Sequence, residues 1–157
     1  MLRSAKISIS KMKREIFIYG LISGILYIVS LLSFKYLNLL HIRTLRIFNY
    51  VALTLISLYQ VHHWIKKSGG YIPFLEVFFT VLFTGAFSFA ILGIFIFIYS
   101  FSDPYLTELF IVSSNDHSKL VPAIVVFFEG SGASIIVSLI VMLYASKFEE
   151  GETSLPR

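Results

Sequence analysis

Four apolar runs dominate the chain: Ile16 to Tyr36, Leu45 to Ile65, Phe74 to Phe101 and Val121 to Tyr144. Each exceeds the roughly 18 residues with few charges that mark a transmembrane helix, and together they leave little chain to fold outside a bilayer. In hydrocarbon a lone segment has to satisfy its own backbone N–H and C=O groups, which a helix does and an isolated strand does not. The many Phe and Ile residues therefore carry no argument for sheet. A transmembrane barrel needs alternating segments of about ten residues, and uninterrupted stretches such as Ile91 to Ile98 lack that alternation. The expected fold is all-α, a single integral membrane four-helix bundle. Its transmembrane domain is expected at 16–145 with spans 16–36, 45–65, 74–101 and 121–144. A basic segment, 1–15, precedes it and an acidic tail, 146–157, follows.

Composition agrees, since 57% of residues are hydrophobic and 14% charged, against about half and about a quarter in soluble domains. The net charge of +4 sits at the ends of apolar runs, not in a stripe interleaved with aromatics, so it reads as topology and not as a nucleic-acid surface. The absence of cysteine excludes disulfides, thiolate metal sites and a cysteine nucleophile. The basic start followed by an apolar run has the outline of a signal peptide. The run is longer than a signal core, however, and no small-x-small cleavage site follows before Lys35, so it is expected to remain as the first span.

With the N-terminus inside, the inner flanks hold Arg3, Lys6, Lys11, Lys13, Arg14, Lys66, Lys67, Lys147 and Arg157, and the outer flanks Lys35, Arg43, Arg46 and Lys119. That excess predicts both termini in the cytoplasm. Trp64 and Tyr144 at one interface and Tyr36, Tyr99 and Tyr105 at the other fit the same orientation. The third run would reach about 42 Å against a hydrocarbon core of about 30 Å, which predicts tilt, or a bend at Gly85 or Gly93. Ser102 to Leu120 reads as a polar outer loop, and the chain from Lys147 onward as a frayed helix end.

Glu129 is the foremost candidate, about 12 Å below the boundary of the fourth run, a depth that is costly for a carboxylate. The structural reading is a protonated side chain hydrogen-bonded to a neighbouring helix, with Asn49 and Thr54 as expected partners. The functional readings are proton or ion handling and the binding of a partner. Small residues predict close helix packing at Gly20 and Gly24, at Gly85 and Gly93, and at Gly130, Gly132 and Ser134. His62, His63 and Glu76 fall near the inner surface. Adjacent histidines point about 100° apart on a helix, so interfacial anchoring is preferred to a metal site. No phosphate loop, HExxH, GxSxG or dinucleotide fingerprint is present, and Gly130-Ser131-Gly132 lies inside an apolar run, not at a nucleophile elbow. No catalytic residue, cofactor or metal is expected, and the chain reads as a non-enzyme.

Three features then combine: Gly69-Gly70-Tyr71-Ile72-Pro73-Phe74-Leu75-Glu76-Val77-Phe78 opening the third run, Tyr99 with Asp103-Pro104 closing it, and Glu129-Gly130 in a small-rich final run. This pattern resembles the bacterial four-helix membrane family catalogued as domain of unknown function 4199. The resemblance implies a multi-pass protein of the bacterial inner membrane and transfers no catalytic residue. The long outer loop and acidic tail have no counterpart in that pattern. The function expected is that of an accessory or assembly subunit acting by helix packing, in the lipid bilayer, with a second copy or a larger membrane protein. The alternative is a small transporter or channel component using Glu129 as a homo-oligomer. No nucleic-acid partner is expected.

Overall fold

The computed structural model describes residues 9–39, 46–68, 73–102 and 120–153. They form four helices and no strand: α1 (Ile9–Tyr36), α2 (Arg46–Ser68), α3 (Phe74–Tyr99) and α4 (Leu120–Thr153). Three of them, α1, α3 and α4, are long and apolar enough to cross a membrane. The outer loop at 103–119, with Asp103-Pro104, and the glycine pair Gly69-Gly70 lie outside the described residues.

Two helices run further than the apolar pattern suggests. α1 begins at Ile9, so the second half of the basic segment is helical. α4 continues through the acidic stretch to Thr153, where Lys and Glu are good helix formers and need no apolar surface to propagate a turn. α3 is one uninterrupted 26-residue helix. Gly85 and Gly93 serve it as contact points, with Gly93 facing the Ala123 carbonyl of α4.

α1 and α3 are parallel, because Gly20 lies at Phe87, Gly24 at Ile91, and Lys35 donates to the Tyr99 hydroxyl at 2.7 Å. The chain therefore has to return between them, and α2 is the segment that returns. It runs antiparallel to α1, pairing Phe34 with Phe48 and Tyr19 with Tyr59. α4 runs antiparallel to α3, matching Gly93 with Ala123 and Gly85 with Ser134. α1 thus starts and α4 ends at the same end of the bundle. Around the bundle the order is α1, α3, α4, α2, with the heaviest packing of α3 on α4 and then on α1.

α2 is less apolar than the others because Asn49, Thr54, Ser57, Gln60, His62 and His63 dilute it. Before Lys66 and Lys67 in its last turn, its exposed positions are nevertheless apolar or aromatic: Ile47, Val51, Leu55 and Tyr59 recur every fourth residue on one outward stripe. Ser57 and Gln60 are turned inward and fully buried. This is an amphipathic helix with its polar side inside, the inverse of a surface helix in water, and it suits a lipid surround.

The hinge after α1 is specified locally. Asn38 takes a left-handed conformation (φ 55), Leu39 N–H reaches the Phe34 carbonyl at 2.8 Å, and Asn38 N–H reaches the Lys35 carbonyl at 3.0 Å. These are the two bonds of a Schellman cap, and Asn is among the few non-glycine residues that enter this conformation at low cost.

The α3–α4 contact is tight enough to test. A Cβ added at Gly130 would overlap the Phe89 ring, whereas one added at Gly132 meets nothing within 4 Å. Gly130→Ala is expected to destabilise the bundle by about 1–3 kcal/mol through overpacking. Gly132→Ala should leave stability unchanged or slightly raised. Thermal melts of both variants in the same detergent check this, and equal melting temperatures would contradict the assigned helix faces.

Candidate functional site

Phe89 organises the level of the membrane at which Glu129 sits. Its side chain is 3% exposed. The ring packs on Tyr27 of α1 at 5.0 Å between centroids, on Tyr50 of α2 at 6.1 Å, and over Gly130 of α4. One aromatic residue from α3 therefore touches all three other helices. Gly130 makes this possible by leaving room for the ring, and the helix then carries Glu129, one residue earlier, about 100° round from that contact.

The turn of α4 places Glu129 outside the bundle. Its side chain is exposed at the seam between α2 and α4, and the Tyr50 hydroxyl donates to its Oε1 at 2.5 Å. Gly132 is exposed on the same side, as are Phe128 and Ile136. The result is a hydrogen-bonding group and a gap in the side-chain surface, side by side on an outward face of an apolar helix.

The expected partners of Glu129 do not supply its hydrogen bond. Thr54 donates its hydroxyl to the Tyr50 carbonyl at 2.8 Å, within its own helix. The Asn49 Oδ1 is buried with no hydrogen-bond partner. Tyr50, assigned no role from the sequence, supplies the bond. Its position four residues before Thr54 on the same face was the available signal. Gly132 also departs from its expected packing role within the chain. The face of α4 that approaches α3 is made by Gly130 and Ser134, four residues apart, and Gly132 lies roughly 200° round from Gly130. Gly20, Gly24, Gly85 and Gly93 face neighbouring helices, with Gly85 against Ser134.

The interior is more polar than the exterior. Ser57, Gln60, Thr80, Thr84, Ser88, Ser134 and Ser138 are all fully buried. Most hydroxyls bond back to the carbonyl one turn earlier: Thr84 to Thr80, Ser88 to Thr84, Ser134 to Gly130 and Ser138 to Ser134, at 2.6–2.8 Å. This lets small polar side chains enter a dry interior without a partner helix. Two bonds cross between helices: Gln60 Nε2 donates to Thr84 Oγ1 at 3.3 Å, and Ser88 also reaches the Gly20 carbonyl at 3.1 Å. Gln60 Oε1, Ser57 Oγ and Thr80 Oγ1 are buried without hydrogen-bond partners.

At the end where α1 begins, the two histidines diverge. His62 Nδ1 lies 3.3 Å from the Tyr144 hydroxyl, while His63 stacks on Tyr59 at 6.2 Å. Glu76 sits in the first turn of α3 with its Oε2 buried and without a hydrogen-bond partner. Among the described residues no three His, Asp or Glu side chains are grouped to hold a metal ion.

No family model matches the chain, and neither a curated protein nor a solved structure matches it.

The Tyr50–Glu129 contact makes a separable prediction. Glu129→Gln retains a carbonyl acceptor for the Tyr50 hydroxyl and should keep the melting temperature close to that of the unaltered protein. Tyr50→Phe removes the donor and is expected to cost about 1 kcal/mol. Melts in detergent with both substitutions combined should show that the second adds little to Tyr50→Phe.

Proposed function

We propose that this protein is a non-enzymatic accessory subunit that docks onto a larger membrane protein through the outward face of α4. The observation that carries this reading is the placement of Glu129: it is exposed on the bundle's exterior at membrane depth, beside the open Gly132. A carboxyl group facing lipid costs about 2.5–3.5 kcal/mol near the membrane centre. The Tyr50 hydroxyl already offsets part of that cost, a neighbouring helix that offers a further donor lowers it again, and Gly132 allows that helix's backbone to approach closely.

Charge complementarity favours a different protein over a second copy. Within a bilayer a two-fold pair of α4 helices would be parallel and would set Glu129 beside its own mate at equal depth. Two carboxyl groups in one site cannot both ionise cheaply. A foreign helix bearing Lys, Arg, or a hydroxyl or amide donor at that level has no such penalty. The transporter reading would need Glu129 to line a water-filled pathway between copies.

The distribution of Lys and Arg supports placing the end where α1 begins and α4 finishes in the cytoplasm. With the resemblance in residues 69–78, 99–104 and 129–130, this points to a multi-pass protein of the bacterial cytoplasmic membrane.

Native mass spectrometry after gentle detergent extraction tests the proposal. The unaltered chain is expected to hold a foreign subunit at fixed stoichiometry. Gly132→Leu and Glu129→Leu should each release it, while Leu55→Phe, on the outward stripe of α2, should not. Masses at multiples of 17.9 kDa, retention in both α4 variants, or equal loss in the α2 control would overturn it. An ion flux in liposomes abolished by Glu129→Gln would establish the transporter reading instead.

A further inference from the structure

A second external feature lies on the opposite pair of helices. Between the first turns of α1 and the middle of α3 runs an open groove of about 530 Å3, lined by Met12, Lys13, Ile16, Phe17, Phe83 and Ala86 among others. That volume is in the range of small-molecule sites, about 300–1,000 Å3. Its walls are apolar except at Lys13. Phe17 and Phe83 are half exposed along it, and Phe17 stacks at 5.6 Å on Phe87. Ala86 is the smallest of the lining side chains and leaves room that a larger one would fill.

The position of Lys13 gives the groove a direction. α1 and α3 are parallel with Gly20 and Gly24 opposite Phe87 and Ile91, a shift of 67 residues. Lys13 is therefore level with Thr80 on α3, about 9 Å along the axis from the start of that helix. A four-carbon stem at that level is long enough to carry an ammonium toward the phosphate layer at the nearer end of the helices. A cation at the rim and an apolar trough leading inward match the two halves of a phospholipid.

We propose that the α1–α3 groove is a binding site for an anionic phospholipid, with the headgroup phosphate at Lys13 and one acyl chain along Phe17, Phe83 and Ala86. A membrane-facing groove is always filled by something. What selects an anionic lipid here is Lys13, the one cation among the described residues lining it, since basic positions between helices at a membrane surface attract acidic headgroups. The molecule supplies its own comparison. The groove between α3 and α4, about 290 Å3, is lined by Ala90, Gly93, Ile94, Phe97, Ala123 and other apolar side chains, with no charged residue. It offers a place for an acyl chain and nothing for a headgroup.

The full-length protein, extracted in detergent and given equal amounts of phosphatidylglycerol and phosphatidylcholine with identical acyl chains, tests this by native mass spectrometry. The unaltered chain is expected to retain the anionic lipid preferentially. Lys13→Gln should lower that preference about fivefold, the equivalent of the roughly 1 kcal/mol contributed by one basic residue at a membrane surface. Ala86→Leu should reduce retention of both lipids by filling the trough. Arg14→Gln, an exposed neighbour outside the groove lining, and Ala90→Leu in the α3–α4 groove should leave the preference unchanged. Circular dichroism confirms that each variant is folded before it is compared. Equal retention of the two lipids by the unaltered chain would overturn the proposal. So would a preference indifferent to Lys13→Gln, an equal effect of Arg14→Gln, or a polypeptide in place of lipid over the groove.

Discussion

The seating of Phe89 against Gly130 is the contact on which the rest of the bundle depends. It is where α3 meets α4 at backbone distance, and the same ring is the surface on which Tyr27 and Tyr50 pack. In a membrane there is no hydrophobic drive between helices, because lipid tails are as apolar as Leu, so association rests on packing and hydrogen bonds. A large ring in a glycine gap supplies packing contacts that two leucines side by side would not. The contact also fixes rotation: with Gly130 held under Phe89, Glu129 can only be presented toward the seam with α2.

A second constraint comes from the polar interior. A water-soluble bundle hides apolar side chains, whereas here small hydroxyls and Gln60 are inside and Phe, Ile and Leu cover the outside. Thr84, Ser88, Ser134 and Ser138 tolerate this position because each donates its hydroxyl proton to its own helix, leaving the neighbouring backbone free to approach. Gly85 against Ser134 and Gly93 against the Ala123 carbonyl are the consequences. Glu129 has a longer side chain, and it meets Tyr50 across the helix seam.

Helical segments were legible from the amino-acid sequence and rotation was not. The four segments and their helical state follow from run length. The face on which a residue lies follows from asymmetry in polarity, and α4 is apolar on nearly every side. Gly130 and Gly132 therefore look alike in sequence, although one is under a ring and the other is open. The same gap explains why Asn49 and Thr54 were expected as partners: they have the right chemistry and level, but Tyr50 has the right azimuth. Where polarity is asymmetric, as in α2, inward and outward residues separate cleanly, with Ser57 and Gln60 on one side and Val51 and Leu55 on the other. The longer reach of α4 was hidden for a different reason, since a helix leaving the membrane into water stops obeying the apolar count that located it.

The inverted polarity of α2 also bears on how the bundle is put together. Taken alone, α2 would present Ser57, Gln60 and both histidines to lipid, and each polar residue at depth lowers its preference for the membrane. Within the bundle Gln60 meets Thr84, His62 meets Tyr144 and Ser57 is fully buried, while the apolar stripe through Val51 and Leu55 faces outward. α1, α3 and α4 are long and apolar enough to span from their own composition, while α2, expected as a fourth span, is not among them and turns its polar side toward its neighbours. The second helix thus relies on tertiary contacts for its place in the bundle. Its pairing with α4, which carries Tyr50 to Glu129, is part of what keeps it there.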